Sequence, residues 1–157
     1  MSSFDVITLG EALFRLTPPD LRLLAQTDTL ALAVGGSEAN TAVGLARLGL
    51  NVSWVSRLTD NALGRRIAQT LNAQQVDTSH IIWTESERIG LYFLEEGRAP
   101  RPSQVIYDRA NSSMSKMTVE ALPEALFTPE SGRLLHLTGI TLALSESAYA
   151  VAQNAFE

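Results

Sequence analysis

The chain of 157 residues contains no cysteine. That excludes disulfides, thiolate metal centres and cysteine nucleophiles. It also lacks a basic surplus: 12 Lys and Arg stand against 17 Asp and Glu, a formal net charge of −5. General binding to a phosphate backbone needs such a surplus, so an anionic ligand would have to be met by a local cluster. No apolar run approaches the roughly 18 residues that a membrane-spanning helix requires. The opening residues 1–14 have no basic segment ahead of their apolar run, and Asp5 interrupts that run. A secretory signal is therefore not expected, and the chain reads as cytoplasmic. No His, Asp or Glu spacing suggests a metal site, and no internal repeat is visible. What is present is an ordinary globular balance, 45% apolar and 18% charged residues. That excludes wholesale disorder, and a single domain of this size buries roughly 70% of its unfolded surface.

Periodicity divides the chain into α/β units. Residues 4–10 and 11–16 read as strands, with Ala12, Phe14 and Leu16 on one side. Pro18 and Pro19 break the pattern, and residues 27–34 form another candidate strand. Residues 38–49 read as a helix whose buried face is made of Ala39, Ala42, Val43 and Ala46, with Gly49 at its stop. The nearly continuous apolar run 51–58 suits a parallel strand buried on both faces. A second helix covers 60–74, capped by Asp60 or Asn61. A short strand lies within 76–84. Two strand-like runs, 89–97 and 104–111, are joined by a loop rich in proline and arginine and read as a hairpin outside the main sheet. Residues 117–127 read as short and helical, 133–144 as a buried strand, and 145–157 as a helix capped by Ser145. Trp54 and Trp83 read as core, and His136 as a core histidine with its hydrogen bonds satisfied. The alternation implies a mostly parallel central sheet with helices on both faces.

The segment 35–49, GGSEANTAVGLARLG, carries the strongest chemical signal. Gly35 and Gly36 stand at a strand-to-helix junction, where they let the backbone approach a ligand and leave amide N–H groups facing it. The helix start adds partial positive charge, which suits an anionic or oxygen-rich group. Asn40 in the first turn can both donate and accept. A tight turn with Asn40 supporting the loop would use the same residues. The segment is not a P-loop, since no Gly-Lys-Ser/Thr follows.

The pattern of Gly35, Gly36, Asn40, Ala42, Leu45, Ala46, Arg47, Leu48 and Gly49 resembles the first signature of the PfkB (ribokinase-like) carbohydrate kinases. VITLGEALF resembles that family's opening strand, VSRLTDNALGRRI its next strand and turn, and LLHLTGI the later strand bordering the sugar. Asp60 and Gly64 match the family pattern; Thr59 departs from it, replacing the usual glycine. Within the family, GLYFLEEG and VIYDRANS are most similar to the kinases of 2-keto-3-deoxygluconate. On these two strands Gly90, Tyr92 and Leu94 share one face, and Val105, Tyr107 and Arg109 another, at period two. The hairpin can thus present two phenols and a guanidinium to one ligand. A guanidinium fork matches a carboxylate bidentately, and phenols bond hydroxyl or keto oxygens. Cross-strand packing of the tyrosines, with Arg109 as a surface cation, is the alternative. Glu11, beside Gly10 at a strand end, either accepts a sugar hydroxyl or is a surface carboxylate.

The resemblance implies a ribokinase-like α/β domain with a β-sheet lid, here made of strands at about 11–34 and 89–109. It implies ATP and Mg²⁺ as cofactors, a small sugar acid as substrate, and a homo-oligomer joined through the lid. Gly35, Gly36, Asn40, Tyr92, Tyr107, Arg109 and Glu11 are the expected substrate-binding residues. The family's catalytic Asp and anion hole lie in a Gly-Ala-Gly-Asp stretch that these residues do not contain. The expectation is the N-terminal, sugar-binding half of a sugar-acid kinase, inactive alone. The alternatives are a sibling such as a fructokinase or ribokinase, or a non-catalytic sugar-binding or oligomerising module.

Overall fold

A computed structural model describes residues 4–156. Its centre is a parallel sheet of β1 (Val6–Leu9), β4 (Val52–Thr59), β5 (Ile81–Thr84) and β8 (Leu135–His136), in the order β5-β4-β1-β8. A second sheet joins β2 (Leu13–Thr17), β3 (Ala31–Gly35), β6 (Leu91–Glu95) and β7 (Gln104–Asp108), in the order β3-β2-β6-β7. There β2 runs antiparallel to β3 and parallel to β6, and β6 runs antiparallel to β7. The helices are α1 (Ser37–Arg47), α2 (Ala62–Asn72), α3 (Gly139–Leu142) and α4 (Glu146–Asn154).

Alternation along the central strands explains why they read as continuous apolar runs. Val6, Val52, Trp54 and Leu58 face one core cluster, with Ala39, Ala42, Ile67 and Leu71 of α1 and α2. Ile7, Leu9 and Val55 face a second cluster, with Met114, Met117, Val151 and Ala155. Each strand is therefore buried on both faces, as a parallel sheet between helical layers demands. The alanine face of α1 lets that helix lie close to the sheet. α1 stops where Gly49 turns to φ 89°; its N–H reaches the Ala46 carbonyl at 2.9 Å, and that of Leu50 reaches Leu45 at 3.2 Å. This is the glycine-dependent helix end the sequence suggests. Asn61 rather than Asp60 caps α2, its Oδ1 accepting from the Leu63 and Gly64 amides at 2.9 and 3.0 Å. Asp60 instead binds Arg65, whose guanidinium stacks 4.0 Å from the centre of the Trp83 ring.

The structure corrects several expectations. Residues 133–144 are not one strand: only Leu135–His136 is strand, and α3 follows at once. Thr138 stops the strand by capping α3, its Oγ1 accepting from the Ile140 amide at 3.3 Å. Short apolar runs do not by themselves distinguish strand from buried helix. Residues 117–127 hold separate 3-10 turns at Val119–Ala121 and Glu124–Leu126, split by Pro123, not one helix. Trp54 is fully buried, but Trp83 is only partly so, and the Nε2 of His136 is buried without a hydrogen-bond partner.

Candidate functional site

The strand order turns round at β1. The chain adds β4 and β5 on one side of it and later β8 on the other. In open α/β sheets, ligands bind beyond the carboxyl ends of the strands at such a switch point. Here a cavity of about 210 Å³ lies at that place. Three segments wall it. The turn after β1 supplies Glu11. The start of α1 supplies Gly36, Ser37, Glu38 and Asn40, with Ile140 of α3 beside them. The second sheet supplies Leu13, Tyr92, Tyr107 and Arg109.

Six of the seven residues expected from the sequence thus line one cavity, and the seventh touches its wall. The Oη of Tyr92 lies 2.8 Å from where a Cβ on Gly35 would stand, so any larger residue at 35 meets the phenol. Gly36 takes φ 153°, and a Cβ there would meet the Glu11 carbonyl oxygen at 2.5 Å. Both the backbone angle and the space call for glycine. Asn40 is exposed at the cavity mouth, its backbone N–H closing the first turn of α1 on Gly36 O at 2.8 Å.

Pairing across the hairpin puts the two tyrosines side by side. Tyr92 opposes Tyr107 in register, with ring centroids 5.8 Å apart and tilted by 39°. The Arg109 guanidinium lies 5.7 Å from the centre of the Tyr107 ring. Opposite faces of β2 serve different ends: Phe14 enters the core, while Leu13 lines the cavity.

Arg109 is not a free surface cation. It donates from Nη2 to Oε2 of Glu11, and its Nε is buried without a partner. Glu11 is 4% exposed, so it is not a surface carboxylate either. Burial pushes its carboxyl above the ordinary value; Ser112 and Arg109 oppose the rise and Glu38 adds to it. Ser112 stands near but forms no hydrogen bond to Oε1. The cavity wall therefore holds two carboxylates against one guanidinium.

Glu38 is the residue that sequence reasoning missed, together with its partners Thr138 and Thr141. Its Oε1 accepts from the Thr138 amide at 2.9 Å and from both threonine hydroxyls at 2.7 Å. An acidic residue in a first helical turn is ordinary, and the partners lie 100 and 103 residues away. A larger hollow, about 370 Å³, sits at the opposite, amino-terminal end of the strands against Phe4, His80 and Leu126. It has neither tyrosine nor arginine in its wall. Among the described residues no group of acidic or histidine side chains is placed to hold a metal ion, and no helix is long and apolar enough to cross a membrane.

A glycine-bearing strand-to-helix turn and a sheet carrying two phenols thus face each other across one cavity. Residues 3–157 match the family of pfkB carbohydrate kinases, and the chain belongs to that family. The 2-dehydro-3-deoxygalactonokinase of Haloferax volcanii is 37% identical over 143 residues, 91% of this chain but 44% of its own. The 2-dehydro-3-deoxygluconokinase of Bacillus subtilis is 34% identical over 142 residues, again 90% of this chain and 43% of its own. A crystal structure of the 2-dehydro-3-deoxygluconokinase of Thermotoga maritima superposes with a TM-score of 0.90 at 39% identity, covering 96% of this chain and 45% of that one. The chain thus spans less than half the length of each of these three relatives.

Proposed function

We propose that this chain is the sugar-binding half of an ATP-dependent sugar-acid kinase whose substrate is of the 2-dehydro-3-deoxygluconate type. The observation that carries the reading is one cavity in which Tyr92, Tyr107 and Arg109 of the second sheet face Gly36 and Asn40 of α1. Arg109 offers its fork to a carboxylate, and the phenols bond keto or hydroxyl oxygens. The substrate class named for the relatives supports the same assignment.

In this reading ATP and Mg²⁺ belong to the complete enzyme, on the part of the relatives' length that this chain does not span. We further propose that the second sheet joins two copies, because its edge strand β7 is exposed along its whole length.

Calorimetric titration of the chain with 2-dehydro-3-deoxygluconate, fructose and ribose tests the reading. The acid binds, the neutral sugars bind at least tenfold more weakly, and MgATP with the acid yields no ADP. Equal affinity for acid and neutral sugars would point to a sibling kinase, and sustained ADP release would refute the half-enzyme assignment.

A further inference from the structure

Glu38 is 1% exposed, the more deeply buried of the two carboxylates in the cavity wall. An acid in the first turn of a helix complements the dipole without being buried. Burying one needs partners that replace water. Its two oxygens meet that need unequally. Oε1 takes all three hydrogen bonds, from Thr138 N, Thr138 Oγ1 and Thr141 Oγ1. These hold the start of α3 against the start of α1 and keep Ile140 in the cavity wall. Oε2 takes none. It lies against the bare Cα of Gly10, 2.6 Å from where a Cβ would stand, so the space it occupies exists only because residue 10 is glycine.

We infer that Glu38 is a specificity-determining residue of this cavity: Oε1 positions the Thr138–Thr141 turn, and Oε2 accepts a hydrogen bond from a ligand hydroxyl. The inference rests on the sugar-acid reading above and deepens it. Charge gives the ligand a direction. The wall formed by the second sheet carries Arg109 and two phenols; the wall formed by α1 and α3 carries a carboxylate and no cation. Glu11, between them, is already matched to Arg109. A ligand carboxylate at the Glu38 wall would meet like charge, whereas a hydroxyl there meets an acceptor. The polyol end therefore docks on Glu38 and the acid end turns to Arg109.

The test compares two ligands by calorimetry or thermal shift. One is 2-dehydro-3-deoxygluconate. The other is 2-oxohexanoate, which keeps the carboxylate, the keto group and the six-carbon chain but has no hydroxyl. In Glu38→Gln the amide oxygen still serves the three donors, while a donor group replaces Oε2. This variant binds the hydroxylated acid about tenfold or more weakly and 2-oxohexanoate unchanged, since a charge-assisted bond is lost only for the former. Thr141→Val, which removes one bond to Oε1, lowers the melting temperature and shifts both ligands alike. Should the amide variant not fold, Glu38→Asp withdraws the charge by one methylene and carries the same expectation. An unchanged or equal effect on the two ligands would overturn the role of Glu38 alone. Failure of the unmodified chain to bind either acid would overturn the sugar-acid reading and this inference with it.

Discussion

Burial of Glu11 decides what Arg109 can do. A carboxylate 4% exposed is costly to keep charged unless a cation answers it, and Arg109, 21% exposed at its side chain, is that cation. The same guanidinium also lines the cavity, and its Nε is buried with no partner. Arg109 thus holds the wall together and reads the ligand. Arg109→Ala should cost about 2 kcal/mol, less than a fully buried pair because the arginine keeps some contact with water. That is roughly 6 °C in melting temperature for a chain of this size. It should also erase the preference for acid over neutral sugar. Arg109→Lys restores the charge but not the fork, so stability recovers more than acid preference does. An alanine variant with an unaltered melting temperature would show that the Glu11 contact contributes nothing.

At the level of elements, period-two and helical patterns carried most of the architecture. β4, α1, α2 and the hairpin of β6 and β7 stand where alternation places them, because local period and tertiary burial agree there. Alternation places each tyrosine on one face of its own strand, and the register of the hairpin then sets Tyr92 opposite Tyr107. The segment after residue 133 did not follow, because its outcome depends on distance. Thr138 becomes a helix cap, and a bond to Glu38 across 100 residues holds it there. No local pattern reports such a partner, so neither the early end of the strand at His136 nor the role of Glu38 is legible in the sequence. The edge of the second sheet is the element whose surface needs covering. Val105 and Ile106 on β7 are 46% and 55% exposed, and an unpaired edge strand with apolar side chains invites association. If two copies meet there, sedimentation velocity finds a dimer or larger species, and Ile106→Glu shifts it to monomer without loss of fold. A monomer already present in the unmodified chain would refute this association.

At the scale of the whole molecule, several surface aspartates and the buried Glu11 oppose each other in their response to pH. Asp5 is held below its ordinary 3.8 by the Asn51 amide and by Arg133, Asp60 by Arg65, and Asp108 by Arg88. A depressed value means that the folded state binds protons less tightly than the unfolded chain. Stability from these groups is therefore complete above about pH 4 and is lost as the pH falls below it. Asp60 and Asp108 are exposed and Asp5 is partly so, so each contributes modestly and salt weakens it. Glu11 has the opposite sign. Burial raises it above its ordinary 4.5, so the folded state binds its proton more tightly. Its contribution is complete below about pH 4.5 and declines as the pH rises through the raised value. Together these groups place their combined optimum near pH 4–5, with one limb owned by surface ion pairs and the other by the cavity. Guanidinium midpoints measured from pH 3 to 7 resolve the two limbs. Asp5→Asn and Asp108→Asn flatten the acid limb, and 0.5 M salt does the same. Glu11→Gln flattens the decline above pH 4.5 and is insensitive to salt, because that carboxylate is out of reach of the ions. A sugar acid bound at Arg109 adds a second negative charge beside Glu11 and raises its proton affinity further. Ligand binding should then take up protons above the ordinary carboxyl range, readable as a buffer-dependent heat in calorimetry. A heat that does not vary with the buffer would place the ligand carboxylate away from Glu11, and with it away from Arg109.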